Sequence, residues 1–184
     1  MRTGFGVLFV VSLLLVGCGG KKAAKQGQTA GGISWAPPES WTPAHDLPMR
    51  VATYTVPRAE GDVEPGECGV FYFGKDQGGS VDMNIERWGS QFMGESMVEK
   101  TTTVINDLDV VIVRIAGTYL SPAGPSQISQ GQKADYKLLG AIVEAPEGRV
   151  FFKCTGPGKT IEQAEGPFME MMNSLAANDR RSAS

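Results

Sequence analysis

Apolar residues follow two different periods along this chain. Residues 49–56 (MRVATYTV) and 68–74 (CGVFYFG) are short runs rich in β-branched and aromatic side chains, closed by Pro57 and Gly74, and they predict strands. Residues 100–105 and 108–120 predict two more, joined by Asn106-Asp107, a pair suited to a tight hairpin. A further hairpin is expected from 136–144 and 149–154 around Pro146-Glu147-Gly148. In 108–120 both parities are apolar, with Val111, Val113 and Ile115 on one side and Leu108, Val110 and Ile112 on the other. A strand that is apolar on both faces must be covered on both.

Two stretches keep helical spacing instead. Val81, Ile85, Trp88 and Phe92 fall four, three and four apart behind Gly78-Gly79, with Ser80 placed to cap, and predict a helix over 80–93. Near the C-terminus Ile161, Ala164, Phe168, Met171, Met172 and Leu175 do the same. Gly166-Pro167 interrupts that run, so the expectation is a short first turn capped by Thr160 and then a main helix from Pro167. Trp35 and Trp41 flank Pro37-Pro38 in an extended, proline-stiffened lead-in whose indoles need burial. Hairpins give antiparallel neighbours, and the two helices are too far apart for regular βαβ crossovers. The fold expected is α+β: a single antiparallel sheet sandwiched between helices over 33–177, followed by a frayed tail over 178–184.

Ahead of the domain, Arg2 precedes an apolar run over 5–16, the layout of a bacterial secretory signal over 1–17. As a helix the run spans only ~18 Å, short of the ~30 Å hydrocarbon core, so it is no permanent membrane span. Leu15-Val16-Gly17-Cys18 directly after it resembles the lipobox of bacterial lipoproteins. The resemblance implies that Cys18 is acylated and becomes the new N-terminus, tethering the protein to the membrane, since each buried CH₂ adds about 0.8 kcal/mol. Gly19 stands where an Asp would favour inner-membrane retention, so in a cell with two membranes the resemblance implies the outer membrane, facing the periplasm. Residues 18–32 then read as the lipidated cysteine and a flexible stalk carrying Lys21, Lys22 and Lys25.

Composition narrows the function. Hydrophobic residues make up 41% and charged residues 20%, so a core forms. The net charge of −3 becomes −4 once Arg2 leaves with the signal, which argues against a nucleic-acid binder. One histidine and three cysteines leave little for a metal site, and no cofactor is expected. Gly158-Lys159-Thr160 lacks the first glycine of a phosphate-cradling loop, because Lys153 stands in its place. His45 beside Asp46 has no second histidine or nucleophile elbow to complete a triad and is expected in a surface loop. Glu60, Asp62, Glu64 and Glu67 gather carboxylates as calcium cages do, but without calcium-loop spacing, and are expected to be solvated. For Cys68 and Cys154 two readings stay open: a disulfide, or two small buried hydrophobes on separate strands.

The order of tryptophan-proline lead-in, two strands, helix, two long hairpins and a last helix ending in Asn173-Ser174-Leu175 resembles the PsbP-like fold family, which includes photosystem extrinsic subunits, a nuclear Ran-release factor and many bacterial lipoproteins. Within it the chain is similar to bacterial members whose Gly-Gly turn precedes a helix bearing the pattern of Asn84, Arg87, Trp88, Gln91 and Phe92. Trp88 is expected in the core, with Arg87 and Gln91 at the edge of the apolar stripe. The polar connection over 121–134 is the expected partner-contacting surface. The resulting expectation is a non-catalytic, lipid-anchored envelope protein that binds an envelope partner or a small molecule of unknown identity; the alternative is an enzyme whose site assembles only in three dimensions.

Overall fold

The computed structural model describes residues 28–45, 47–94, 96–120 and 131–178. The signal, Cys18, Asp46, residues 121–130 and the tail from 179 lie outside the described residues. In chain order the elements are β1 (Gln28–Ala30), β2 (Ile33–Trp35), β3 (Thr42–Pro43), β4 (Ala52–Val56), β5 (Gly66–Tyr72), α1 (Val81–Gly89), β6 (Met97–Ile105), β7 (Leu108–Leu120), β8 (Gln132–Glu144), β9 (Val150–Pro157), α2 (Gly158–Asn173) and β10 (Ala176–Ala177).

The predicted hairpins form for the predicted reasons. Asn106 and Asp107 both adopt positive φ, 49° and 63°, the two left-handed residues that a tight hairpin needs to match strand twist, and β6 and β7 pair on either side of them. The Asn106 amide then donates to the carbonyls of Asn173 and Leu175, tying the hairpin tip to the end of α2. β7 and β8 run antiparallel along most of their length, with a register shift between Gly117 and Tyr119. The main sheet has seven strands in the order β3-β4-β5-β9-β8-β7-β6, all neighbours antiparallel.

Period-2 alternation sorts the side chains of this sheet onto two faces. Val110, Ile112, Leu139, Ala141 and Phe152 point to one, where Ile161, Ala164, Phe168, Met171 and Met172 of α2 and the indoles of Trp35 and Trp41 close the larger core. Cys68 and Cys154 also lie on this face, directly opposite in register, joined by a disulfide with an S–S distance of 2.17 Å. Val111, Val113, Ile115, Leu138, Ile142 and Phe151 point to the other face and meet Trp88 and Phe92. Gly140 makes that contact feasible: a Cβ there would stand 2.6 Å from the Trp88 ring.

Several expectations need correction. The sheet is not single: β1, β2 and β10 form a separate three-stranded sheet in which β2 is central. Among the described residues, Gln28–Ala30 already pairs as a strand with β2 ahead of Ile33, because Gly31 and Gly32, at φ 60° and 80°, make a hairpin turn rather than a continuation of the stalk. Met49, at φ 67°, delays the strand expected from 49 until Ala52. α1 stops at Gly89 rather than 93; Val81 and Ile85 are only half-buried, while Trp88 is 4% exposed and Phe92 is held by a bridge to Tyr119. α2 is one continuous helix with Pro167 inside it, not a short turn followed by a second start. Pro167 costs one backbone bond, but buried Ile161 and Ala164 before it and Phe168 after it hold both halves on the same core. Thr160 is not the cap: Pro157 holds that position, and the Asp62 carboxylate accepts from the Thr160 amide and hydroxyl, both at 2.7 Å.

Two outcomes follow from this packing. Trp88→Ala should destabilise the protein by about 3–5 kcal/mol, and Gly140→Ala by about 1–3 kcal/mol in wild type but by less in a Trp88→Ala background, measured by urea unfolding of the single and double variants. Reducing the disulfide, which closes a separation of 86 residues, should cost up to about 4–5 kcal/mol; thiol titration of the denatured, unreduced protein should find Cys68 and Cys154 blocked.

Candidate functional site

The sheet face on the α1 side is only partly covered. Register places Thr53, Gly69, Lys153, Gly140 and Val113 in one transverse row across β4, β5, β9, β8 and β7. At the Gly140 end of this row the Trp88 indole lies on the sheet. At the other end no helix among the described residues covers it, and the side chains change from apolar to polar: Thr53 and Lys153 in this row, Thr55, Glu67 and Thr155 in the next.

Arg50 folds over the bare backbone of Gly69, where an added Cβ would be 3.3 Å from its guanidinium carbon and 3.0 Å from the Phe71 ring. The left-handed backbone at Met49, uncommon for a non-glycine residue, precedes Arg50 directly. Arg50 pairs with Glu67 at 2.8 Å and stands 5.4 Å from the centre of the Phe71 ring. That 2.8 Å contact with the Glu67 carboxylate is made by the buried Arg50 Nη1, whereas the buried Thr53 hydroxyl has no hydrogen-bond partner among the described residues. A buried hydroxyl without a partner carries a desolvation cost that an added partner would relieve.

Lys153 is the deepest cation of the group. Its ammonium donates to the Gln91 side-chain oxygen at 2.5 Å and lies 5.9 Å from the Tyr119 ring centre. Six carboxylate–cation pairs occur among the described residues, and none includes Lys153. Burial, followed by the charges of Arg50 and Arg87, lowers its pKa to about 8, with Glu67 acting in the opposite sense. Burial also raises the pKa of Tyr119.

α1 supplies the remaining wall. Ser80 caps it, its hydroxyl accepting from the Met83 amide at 3.2 Å. Asn84, buried, donates to the carbonyls of Gly78 and Ser80 at 2.8 Å each, so the Gly-Gly turn and the first helical turn are locked together, and its oxygen accepts from Arg87. An open cleft of about 770 Å³ runs beside this turn, lined among others by Phe73, Met83, Asn84 and Arg87. Phe73 stacks on Phe71 at 6.3 Å between ring centres, which connects the cleft to Arg50.

The structure thus divides the pattern noticed on this helix. Asn84 and Trp88 serve the fold, while Arg87 and Gln91 flank the polar patch. His45 is exposed in the connection after β3. The acidic residues from Glu60 to Glu67 do not converge: Asp62 binds Thr160, Glu64 accepts from Lys133 and Tyr136, and Glu67, already within β5, pairs with Arg50. The hydrogen bond from Lys133, then that from Tyr136, lowers the Glu64 pKa. Lys159 and Thr160 begin α2, whose N-terminal amide at Thr160 is already taken by Asp62. Sequence reasoning missed Lys153 and Arg50 as site residues. The available signal was a lysine within the apolar run Phe151-Phe152-Lys153-Cys154 of a strand that is internal to the sheet.

No protein-family model matches the chain, and no curated protein sequence matches it. In structure it is similar to cyanobacterial PsbP (CyanoP) from Synechocystis sp. PCC 6803, solved in solution, with 11% identity and a TM-score of 0.52 over 89% of this chain and 98% of that one. A crystal structure from Bacteroides thetaiotaomicron VPI-5482 is 13% identical, with a TM-score of 0.36 over 86% of this chain and 51% of that one. The fold is therefore PsbP-like: a mostly antiparallel sheet protein with two helices.

The Lys153 environment sets a pH dependence. With a folded pKa near 8, below the unfolded value of about 10.5, the group destabilises the fold while both states are protonated, and stability rises as pH passes from 8 toward 10.5 because only the unfolded state still holds the proton. Lys153→Met should melt higher than wild type at pH 7, and the gap should narrow by pH 10. Thermal unfolding across that range checks it, and a gap independent of pH would contradict the assignment.

Proposed function

We propose that the chain is a lipid-anchored, extracytoplasmic binding or accessory protein of the bacterial envelope, without catalytic activity of its own. The observation that carries this reading is Leu15-Val16-Gly17-Cys18 placed directly after the apolar run over 5–16. Acylated Cys18 holds the protein at the membrane, at the periplasmic side of the outer membrane where the cell has two. We read the sheet between α1 and α2 as an α/β/α sandwich that acts as a rigid mount for the polar patch. Lys153 is engaged by a neutral amide and not by a carboxylate or imidazole that would exchange protons with it, which supports binding over turnover.

One observation favours the second reading, an envelope enzyme: a lysine whose pKa is lowered to about 8 holds roughly a tenth of its population in the neutral, nucleophilic form at pH 7, far more than an ordinary lysine.

Fractionation of cells expressing the wild type and Cys18→Ser tests the anchor. The wild type is expected in the membrane fraction and the variant in the soluble extracytoplasmic fraction; a variant that stays with the membrane overturns the assignment.

A further inference from the structure

The uncovered corner of the α1 face has two properties that belong together. Its floor is cationic: Arg50, Arg87 and Lys153 are opposed by Glu67, which is already paired to Arg50. Lys153 and Arg87 are thereby left with neutral partners, Gln91 and Asn84. Its rim is apolar: Met49 is 73% exposed, Val51 is 38% exposed, and Phe71 and Phe73 are half-buried in a stack. Register puts Val51 next to Phe71, because Ala52 pairs with Val70 one residue on. Desolvated cations without a carboxylate attract an anion, and exposed aromatic and aliphatic side chains beside them select one with an apolar body.

We propose that this corner binds a small amphiphilic organic carboxylate, whose anionic head is received by Lys153 with Arg50 and Arg87 beside it and whose body lies against Val51, Phe71 and Phe73. The buried Thr53 hydroxyl, in the same transverse row as Lys153 and without a hydrogen-bond partner among the described residues, gains one when the head enters. Inorganic phosphate would satisfy the charges but leave the rim idle. A nucleic acid would meet Glu67, half-exposed at the centre of the patch, on a chain with a net charge of −3. This inference rests on the binding-protein reading and gives that protein's ligand a chemical class.

The test titrates the full chain carrying Cys18→Ser, free of detergent, with octanoate and with phenylacetate, followed by amide chemical shifts; phenylacetamide and inorganic phosphate serve as comparisons. Saturable shifts confined to residues around Lys153, Gln91, Phe71 and Phe73 are expected with the carboxylates, with weaker responses to the amide and to phosphate. Lys153→Met should weaken binding at least about tenfold, Arg87→Gln by a smaller factor, and Lys153→Arg should restore most of it. Arg87 is exposed, so its variant keeps the test valid if Lys153→Met perturbs the fold. Equal affinity for phenylacetamide, absence of saturation by the carboxylates, or binding to anionic vesicles but not to the free acids would overturn the proposal. If the carboxylate binds and is consumed on prolonged incubation, the site stands and the non-catalytic reading falls.

Discussion

The constraint on which the rest of the structure depends is that β7, β8 and β9 are apolar on both faces. Each face must be shielded from water, and the chain does this with helices of unequal length. α2, with 16 residues, extends about 24 Å and is joined by Trp35 and Trp41. α1, with nine, extends about 13 Å and reaches β7 and β8 through one large indole, with Phe92 of the turn after it packed alongside. Where α1 ends, the sheet has to meet water, and the outward residues of β4, β5 and β9 become Thr53, Thr55, Glu67, Lys153 and Thr155. The polar patch is thus located by the point at which cover runs out.

Glycine tunes both halves of that face in opposite ways. At Gly140 the missing side chain lets the Trp88 ring approach the backbone and seal it. At Gly69 the same omission lets Arg50 and Phe71 lie flat, so that a cation rests over the sheet instead of extending into solvent. The cations there are not neutralised by a matching set of carboxylates, and the buried Thr53 hydroxyl is left without a hydrogen-bond partner among the described residues. Departures of this kind from full satisfaction concentrate where a protein has work other than stability to do.

Much of this architecture was legible in the residues. Asn106-Asp107, the double-sided apolar run of β7 and the helical spacing of Val81, Ile85 and Trp88 each act through local sterics or a fixed period, which a sequence displays directly. Features that depend on who neighbours whom were not. Cys68 and Cys154 stand opposite because β9 inserts beside β5, an order set by distant strands. The Asp62 cap on α2 comes from a loop 98 residues earlier, so Thr160 alone was a misleading signal. Gly31-Gly32 suits a flexible stalk and a hairpin turn equally well; only pairing with the β2 segment decides between them. The site suffered most, because Lys153, Gln91, Arg50 and Thr53 meet only once β4, β5 and β9 are in register and the turn after α1 is laid beside them.

The small sheet has a consequence for how the domain comes together. β2 lies between β1, its immediate predecessor, and β10, whose Ala176 pairs with Ser34 across 142 residues. The Ser174 hydroxyl accepts from the Ala36 amide and the Asn178 amide donates to Gly32, so the two ends of the domain are fastened at several points. A polypeptide that emerges N-terminus first therefore holds Ile33 and Trp35 without their final cover until its last few residues arrive. Closure of so large a loop comes late and makes folding slow relative to a chain of local contacts. Once residues 174–178 dock, the strand that opens the domain and the strand that closes it share one sheet, so loosening either end uncovers Ile33 and Trp35 at the other.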